Sequence, residues 1–334
     1  MRMYLLPANG NFYKANLHCH SLLSDGYLTP EELKKIYKEQ GYSIIAYTDH
    51  DVFITHNDLR DEDFLPLNGY ELSVNSDRVC HICAVSLDEN KKTQKIYYKN
   101  VFEEKNAEKL CFDPESGYLE RKYNPEFITD IINKLREDNF FVTYNHPVWS
   151  METYNEYCNY HGMHAMEIVN YGCVVYGYDE HNGNIYDQML RNGEKIYCIS
   201  TDDNHNVYPT DSPRCDSFGG YIMIKAEKLE YGEIARALLD GDFYSSEGPS
   251  INELYYENGK IHIKTSEATL IAMTTEKRNY RRVTAEKKGD TVTEAQFTIV
   301  PDKAGAYVRF TVIDKEGKEA NTNAYFLSDF LENE

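Results

Sequence analysis

The chain has 334 residues, of which 41% are hydrophobic, and 55 acidic against 35 basic side chains give it a formal net charge of −20. Polynucleotide binding depends on Lys and Arg neutralising phosphates, so a chain this acidic is not expected to bind long nucleic acid. No apolar stretch approaches the ~18 residues that span a bilayer, which argues against a membrane partner. The start, MRMYLLPANG, does not read as a signal peptide, and the eight cysteines show no disulfide pattern, so we expect a cytoplasmic protein.

The first candidate motif is NLHCH, which holds two histidines one residue apart. Successive side chains of a strand alternate between its faces, so His18 and His20 would point the same way and Cys19 the other. Two imidazoles on one face can bind one ion, although an isolated pair of this kind can equally be two surface histidines. The polar turn SDG follows and supplies Asp25.

A helix and a second strand follow this motif. Thr29 is the predicted N-cap of the helix, and Pro30 occupies its first position. The apolar run Ser43–Tyr47 predicts the next buried strand, which delivers Asp49 and His50 at its end. The order of strand, ligand loop, helix, strand and ligand predicts a βαβ unit with a site at one end.

Five further apolar runs predict strands with candidate metal ligands nearby. The runs are Phe64–Leu67, Ile82–Leu87, Phe140–Tyr144, Ala165–Val169 and Lys195–Ser200, and the ligands are Glu71, His81, His146, Asp203 and His205. In parallel α/β architectures the strand ends carry the chemistry. His, Asp and Glu are ligands for zinc, iron and manganese. Because the nine candidates exceed what one ion needs, we predict two or three divalent transition-metal ions.

In chain order, NLHCHSLLSDGYLTPEEL, AYTDHD, GYEL, HICAV, NHP and DDNH resemble the motifs of the PHP (polymerase and histidinol phosphatase) family over roughly residues 12–250. These are metal-dependent phosphoesterases. The resemblance implies the α/β class and a distorted (β/α)7 TIM-like barrel with metals at the strand C-termini. It assigns one ion to His18, His20, Glu71 and Asp203, a second to Glu71, His81 and His146, and a third to Asp25, His50 and His205, with Glu71 bridging. Some members have His where this chain has Asp25, which predicts a weaker third site or one that favours Mn²⁺ or Fe over Zn²⁺.

The predicted activity is that of a phosphoric ester hydrolase. A hydroxide bridging two or three ions, supported by Glu71, Asp203 and His205, would attack a small phosphorylated substrate, making the chain a phosphomonoesterase. Arg214 in DSPRCDS is the candidate substrate-binding residue, with an ordinary surface arginine as the alternative. A 5′-end nuclease or exonuclease acting on short oligonucleotides and a non-catalytic PHP-type scaffold are the other candidates. The acidic charge argues against the nuclease or exonuclease, and the complete ligand set argues against the scaffold.

Three assignments stay open at this point. Asp202 could replace Asp203 as a ligand, but the family spacing Asp-x-His selects Asp203 and leaves Asp202 facing away or supporting the ligands. Asp49 is better interpreted as an orienting carboxylate than as a ligand. Cys80-x-x-Cys83 could bind zinc, but the sequence has no second CxxC, so a structural pair of thiols is preferred.

A composition change near residues 245–250 predicts two domains. The first, residues 1–248, would be the barrel and would end with a helix at Tyr231–Leu239 and a strand at Asp242–Ser246. In residues 249–334, alternating apolar and polar runs separated by ENG, DKAG and KEG turns predict a small antiparallel β-sandwich. Residues 251–334 carry 14 acidic and 12 basic side chains, so the acidic excess lies in the barrel. The C-terminal module could pack against the barrel, form an oligomer or shape the site, and the structural role is favoured.

Residues 88–124 form a charged and aromatic insertion between the His81 strand and a helix capped by Asn124. We expect one short helix in it. Because His81 and His146 flank the insertion, it is expected to overhang the site and influence substrate choice. Tyrosines expected near the mouth of the site could stack on a substrate, such as Tyr47, Tyr144 and Tyr171.

Overall fold

The computed structural model describes residues 2–75, 78–111, 113 and 116–331, in which helices alternate with strands as far as Ser246 and strands dominate afterwards. The strands are β1 Met3–Tyr4, β2 Asn11–Asn16, β3 Ile44–Tyr47, β4 Leu65–Asn75, β5 Val79–Ser86, β6 Phe140–Tyr144, β7 Ala165–Asn170, β8 Tyr197–Thr201, β9 Tyr221–Ala226, β10 Phe243–Ser246, β11 Ile251–Glu257, β12 Lys260–Ala268, β13 Leu270–Thr275, β14 Arg281–Thr284, β15 Val292–Thr298, β16 Tyr307–Ile313, β17 Glu319–Thr322 and β18 Tyr325–Phe326. The helices are α1 Pro30–Glu39, α2 Val101–Lys105, α3 Pro125–Glu137, α4 Tyr154–Tyr157, α5 Tyr171–Val175, α6 Gly183–Arg191, α7 Tyr231–Asp240, α8 Pro301–Ala304 and α9 Ser328–Leu331, with a 3₁₀ turn at Asn57–Leu59.

The strands around the candidate ligands lie side by side in a 14-stranded sheet. Its order is β14-β13-β16-β17-β10-β9-β2-β3-β4-β5-β6-β7-β8, with β18 paired to β16. Strands β2, β3 and β4 run parallel to one another, as do β6, β7 and β8, whereas β5 is antiparallel to both of its neighbours. The carboxyl ends of the parallel strands therefore deliver their loops to a common edge.

The two ends of the β2–β8 run meet. The segments that follow β2 and β8 form a parallel bridge between Cys19 and Asn204, with a hydrogen bond of 3.1 Å from His20 N to Asn204 O and one of 3.0 Å from Asp203 N to His18 O. One buried apolar cluster takes side chains from every strand from β2 to β9 and from α7. The mixed α/β class is confirmed, and candidate ligands far apart in the sequence come together.

The fourth strand is longer than predicted. The expected strand Phe64–Leu67 is β4, which continues to Asn75 and pairs antiparallel with β5, so that Glu71 lies opposite Cys83 and Ser73 opposite His81. Glu71 and His81 therefore lie inside strands instead of where apolar runs stop. Both side chains lie on the face of the β4–β5 pair that the other candidate ligands also face. These polar residues interrupt the apolar run in the sequence, so the predicted strand ended before β4 does.

Helix starts were predicted correctly from their capping residues. In α1, Thr29 Oγ1 accepts from Glu32 N at 3.2 Å and Glu32 Oε2 accepts from Thr29 N at 2.9 Å, which is a complete capping box. Asn124 caps α3, and α2, capped by Asn100, is the short helix expected in the insertion. None of the helices in the described ranges is long and apolar enough to cross a membrane.

The strands after Ser246 are antiparallel to the strands with which they pair, as the sequence predicted. They form two sheets around a second core. One is the antiparallel sheet β1-β11-β12-β15, which includes a strand from the start of the chain. The other continues into the large sheet because β17 pairs with β10, with Tyr244 opposite Thr322. This pairing covers an edge of β10 that would otherwise be open, and the short segment EANT of β17 has no apolar alternation that could have indicated it.

A buried ion pair links α6 to β16. Arg309 donates from Nε to Asp187 Oδ1 at 2.7 Å and from Nη2 to Asp187 Oδ2 at 2.9 Å. Arg309 is 5% exposed and Asp187 8%. The bidentate geometry satisfies both carboxylate oxygens in an environment where an unpaired charge would be costly.

Glu152, between β6 and α4, is a buried carboxylate among tyrosines. It accepts hydrogen bonds from Tyr123 at 2.7 Å and from the hydroxyls of Tyr144 and Tyr160. Burial raises the pKa of Glu152 to about 6, although these hydrogen bonds lower it. Because this folded value lies above the ordinary 4.5, the proton stabilises the folded chain fully below pH 4.5, and that stabilisation is lost as the pH rises through about 6.

The variant Glu152→Gln should therefore gain stability relative to the wild type as the pH rises. Glutamine stays neutral, so the difference in the free energy of unfolding should move in its favour by roughly 2 kcal/mol between pH 4.5 and neutral pH. Urea unfolding of both proteins at the two pH values measures this difference. A difference that does not change with pH would show that Glu152 titrates normally.

Candidate metal centre

Glu71 lies at the centre of the predicted ligands. Its carboxylate is fully buried on β4, and five imidazoles surround it. Oε1 is 3.2 Å from His18 Nε2, 3.2 Å from His81 Nδ1 and 3.4 Å from His146 Nε2, and Oε2 is 3.1 Å from His50 Nδ1 and 3.4 Å from His20 Nε2. One glutamate thus faces ring nitrogens of five histidines from four separate segments of the chain.

The other two predicted carboxylates complete the cluster on either side. Asp203 Oδ1 is 3.0 Å from His18 Nε2 and from His20 Nε2. Asp25 lies at the solvent side, with carboxylate oxygens 3.5 Å from His205 Nε2 and 3.6 Å from His50 Nε2. The structure therefore brings all nine predicted ligand residues into one connected group.

The donor set fits divalent transition-metal ions. Four combinations have ligand atoms within 4.8 Å of one another: His20 with Asp25, His50 and His205; His18 with His20 and Asp203; His50 with Glu71 and His81; and His18 with Glu71 and Cys83. Glu71 Oε2 is buried and accepts no hydrogen bond from any described residue. Imidazole nitrogens and carboxylate oxygens that converge in this way are the ligands of zinc, iron and manganese.

The carboxylates hold protons on some of these histidines. Burial lowers the pKa of His20, but Asp203 and Glu71 raise it to about 10. Burial also lowers the pKa of His146, but Glu71 and Asp203 raise it to about 9. Burial instead lowers the pKa of His81 to about 4. Because metal ligands must be deprotonated, ions that bind here have to displace the protons of His20 and His146.

Glu167 on β7 orients two of the ligands, and the sequence reasoning missed it. Its carboxylate is 2.7 Å from His18 Nδ1 and accepts from His146 N at 2.9 Å and Thr201 Oγ1 at 2.6 Å. A proton on His18 Nδ1 leaves the lone pair of Nε2 facing the cluster. A single acidic residue inside the apolar strand AMEIVN was the signal that could have identified it.

The two aspartates beside predicted ligands take the supporting positions expected of them. Asp49 accepts from Ser21 N and Oγ, both at 2.8 Å, and from Ser24 Oγ at 2.7 Å. These bonds fix the loop between His20 and Asp25. Asp202 is fully buried away from the imidazoles and accepts from the Tyr37 hydroxyl at 2.8 Å.

Two candidate ligands have left-handed backbone conformations. His146 has φ of 27° and Asp203 has φ of 50°. Such conformations cost about 1–3 kcal/mol each and persist where the surroundings enforce them, often at functional sites. Gly172 packs closely against the Asp203 turn, because a Cβ at this position would lie 2.7 Å from Asp202 O and 2.9 Å from Asp203 O. The close approach of α5 to the Asp203 turn therefore requires glycine.

A cavity of about 410 Å³ opens onto the cluster. Its lining residues are Asp25, His50, Glu71, His81, His146, Trp149, Gly172, Cys173, Tyr176, Tyr178, Asp203, His205 and Val207. Tyr176 and Tyr178 line it, in place of the three tyrosines that the sequence analysis favoured. Arg214 is not in this lining; its guanidinium carbon lies 3.8 Å from the centre of the Tyr208 ring. The structure thus brings the metal-ligand candidates together but not the phosphate-contact candidate.

The described part of the insertion packs beside the Asp25 loop. Asn106 Nδ2 donates to Leu23 O at 2.7 Å, and Asn100 Nδ2 to Asp51 Oδ2 at 3.3 Å. The Phe102 ring stacks on His50 with 6.1 Å between ring centres. The insertion therefore covers one flank of the cluster, and three of its residues, 112, 114 and 115, lie outside the described ranges.

Comparison with known proteins found no family model that matches the chain. A 5′-3′ exoribonuclease of Haemophilus influenzae is 31% identical over 118 residues, which cover 33% of this chain and 43% of that protein. The chain thus matches less than half of the length of this curated relative.

Two solved structures are similar to the chain. A two-domain protein of Bacteroides vulgatus that contains a predicted PHP-like metal-dependent phosphoesterase is 15% identical, with a TM-score of 0.46 and coverage of 97% of this chain and 98% of its own. A Bifidobacterium adolescentis protein described as a candidate metal-dependent phosphoesterase is also 15% identical, with a TM-score of 0.41 and coverage of 70% of this chain and 96% of its own.

Proposed function

We propose that this chain is a PHP-type metal-dependent phosphoesterase that hydrolyses a monoester of a small phosphorylated molecule. The observation that carries the proposal is the position of Glu71, whose two carboxylate oxygens face five imidazoles from four segments of the chain. A cluster of this kind has the donors for more than one ion, and closely spaced ions suit phosphoryl transfer.

The ion assignment in this proposal is the one that the resemblance to the PHP family implies. His18, His20, Glu71 and Asp203 would hold one ion, Glu71, His81 and His146 a second, and Asp25, His50 and His205 a third. The short distances from Asp203 to both His18 and His20 support the first group. The proximity of His20 to the Asp25 group supports a site in which that histidine also contributes.

The chain's own residues would orient the metal ligands. When bound, the ions would supply Lewis acidity that lowers the pKa of a coordinated water. In the hydrolysis, water supplies the new oxygen on phosphorus, the phosphorus–oxygen bond to the ester breaks, and the leaving oxygen takes up a proton. Glu167 would keep His18 in the tautomer that ion binding needs. Asp49 would keep the loop of His20 and Asp25 in place.

The proposal extends to the architecture. The Cys19–Asn204 bridge and the shared core of β2–β9 support a distorted (β/α)7 barrel in residues 1–248. Residues 249–334 would then support the barrel and offer a surface for oligomer formation. All eight cysteines are unpaired, which suits the reducing cytoplasm.

Phosphate release from a panel of phosphorylated metabolites tests the proposed activity. The full chain, stripped with chelator and reconstituted with Mn²⁺ or Zn²⁺, should release phosphate from at least one monoester. The chelator should abolish this release, and added metal should restore it. A fully metal-loaded chain that releases no phosphate from any monoester would contradict the proposal and favour the non-catalytic scaffold.

A 5′-end exonuclease is the second candidate, favoured by the similarity to the Haemophilus influenzae exoribonuclease. The described residues that line the cavity include no lysine or arginine to neutralise a row of phosphates. The same preparation incubated with a short 5′-phosphorylated RNA distinguishes the two activities. Release of mononucleotides, faster than hydrolysis of any monoester, would make the nuclease the correct assignment.

A further inference from the structure

The lining of the cavity includes four aromatic or apolar residues, together called the aromatic wall: Trp149, Tyr176, Tyr178 and Val207. The same lining contains the histidine and carboxylate groups. Tyr176 is 57% exposed, Tyr178 37% and Val207 40%. Apolar side chains gathered around a cavity and left open to solvent mark a binding surface rather than ordinary surface packing.

The aromatic wall begins where the histidine cluster ends. The Trp149 ring lies nearly perpendicular to the His146 ring, with 4.9 Å between their centres, and its centre is 5.3 Å from that of His81. A molecule with a phosphate at the cluster would therefore have its remaining part against Trp149.

The wall is held in place by a buried carboxylate. Glu180 accepts from Trp149 N at 2.9 Å and from Val148 N at 3.1 Å, and it follows Tyr176 and Tyr178 closely in the chain. Asn182 Nδ2 also donates to Glu180, at 2.9 Å. Glu180 thus ties the tryptophan segment to the tyrosine segment, which makes the wall preformed.

The charges of the lining limit what this wall can bind. Asp25, Glu71 and Asp203 contribute carboxylates, while neither lysine nor arginine occurs in the described lining. Positive charge would come from ions held by the ligand cluster. A ligand with one phosphate at the cluster and an uncharged remainder fits these charges. Further phosphates would lie against carboxylates, which repel them, or against aromatic rings.

We propose that Trp149, Tyr176 and Tyr178 form a subsite for the planar aromatic group of a phosphate monoester, either a nucleobase or an aryl ring. Electron-rich rings stack on planar groups of either kind. Only the placement of the phosphate at the cluster rests on the proposed phosphoesterase activity. Binding of the aromatic group can be measured without turnover.

Binding to the subsite can be followed with Trp149, which is the only tryptophan in the chain. The metal-free full chain is titrated with adenosine, phenol or ribose, and tryptophan emission is recorded. Adenosine, phenol or both should give saturable quenching, and ribose should give none. Quenching by adenosine alone would identify a nucleobase subsite, and quenching by phenol an aryl subsite. If neither aromatic ligand gave saturation, or ribose quenched equally, the subsite would be refuted.

Variants show whether the tyrosine rings carry the binding. The double variant Tyr176→Ala with Tyr178→Ala keeps the Trp149 reporter and should raise the dissociation constant about tenfold or more. The matched phenylalanine double variant keeps both rings and should bind like the wild type. Tyr280→Ala removes a tyrosine that is 50% exposed but outside this cavity, and it should change nothing. Equal binding by the alanine double variant and the wild type would overturn the assignment.

Kinetics separate this inference from the proposed function. On metal-reconstituted enzyme, the alanine double variant should lose about tenfold in kcat/KM on a nucleoside monophosphate or phenyl phosphate, mainly through KM, and much less on glycerol phosphate. An equal loss on all three substrates would overturn the aromatic subsite. If the wild type hydrolyses none of them but binds aromatic ligands saturably, the phosphoesterase proposal fails and the subsite stands.

Discussion

Replacing Glu71 with glutamine should remove bound metal and phosphoester hydrolysis together. The substitution keeps the size of the side chain but removes the negative charge that faces five imidazoles. Removal of a residue that hydrogen-bonds to a metal ligand weakens metal binding by about 10–100-fold. Removal of Glu71, which we propose as a bridging ligand, should therefore weaken metal binding by at least about a hundredfold. Elemental analysis and phosphate release on the same sample measure both effects.

Glu152→Gln is the matched control for this experiment. It makes the same chemical change in another buried glutamate, one that tyrosine hydroxyls surround instead of histidines. The control should keep wild-type metal content and turnover. If Glu71→Gln also kept both, the bridging role of Glu71 would be wrong, and equal losses in the two variants would attribute the effect to a damaged fold.

The variant Arg309→Met should lower the free energy of unfolding by about 3–5 kcal/mol. It leaves Asp187 as a buried carboxylate without the cation that now bonds both of its oxygens. Metal content should not change, because neither residue is part of the ligand cluster. Chemical denaturation of the two proteins, with metal measured in the folded samples, gives both quantities.

Two further variants make this result specific. Arg236→Met removes an exposed arginine that pairs with exposed Glu233 and Asp240 and, at 3.7 Å, with the partly buried Asp242, and it should cost less than about 1 kcal/mol. Adding Asp187→Asn to Arg309→Met removes the buried carboxylate that has lost its bidentate partner, and it should restore most of the lost stability. Equal costs for Arg236→Met and Arg309→Met would contradict the importance of the buried pair.

The ligand cluster could be predicted because its residues occur in local motifs. His18 and His20 share a strand-like spacing, and His50, His146 and Asp203 follow apolar runs that became β3, β6 and β8. Periodicity and capping residues are properties of neighbours in the sequence. They fixed the helix starts at Thr29 and Asn124 and most of the strands.

What the sequence could not indicate depends on contacts between distant segments. The β10–β17 pairing joins segments about 75 residues apart and is made largely by backbone groups. In the sequence, nothing distinguishes Asp187 and Arg309 from surface charges. They form a buried pair because the fold places α6 next to β16. Trp149 and Tyr176 belong to different loops, and only the fold shows that they line one cavity.

Metal content is the most direct test of the central claim, because the proposed hydrolysis depends on ions at the Glu71 cluster. Protein purified without chelator and incubated with Mn²⁺ or Zn²⁺ is desalted and analysed for metals per chain. The arrangement of the nine ligand residues predicts two to three tightly held ions per chain. Less than one ion per chain after both incubations would contradict a multinuclear metal centre and the hydrolytic function built on it.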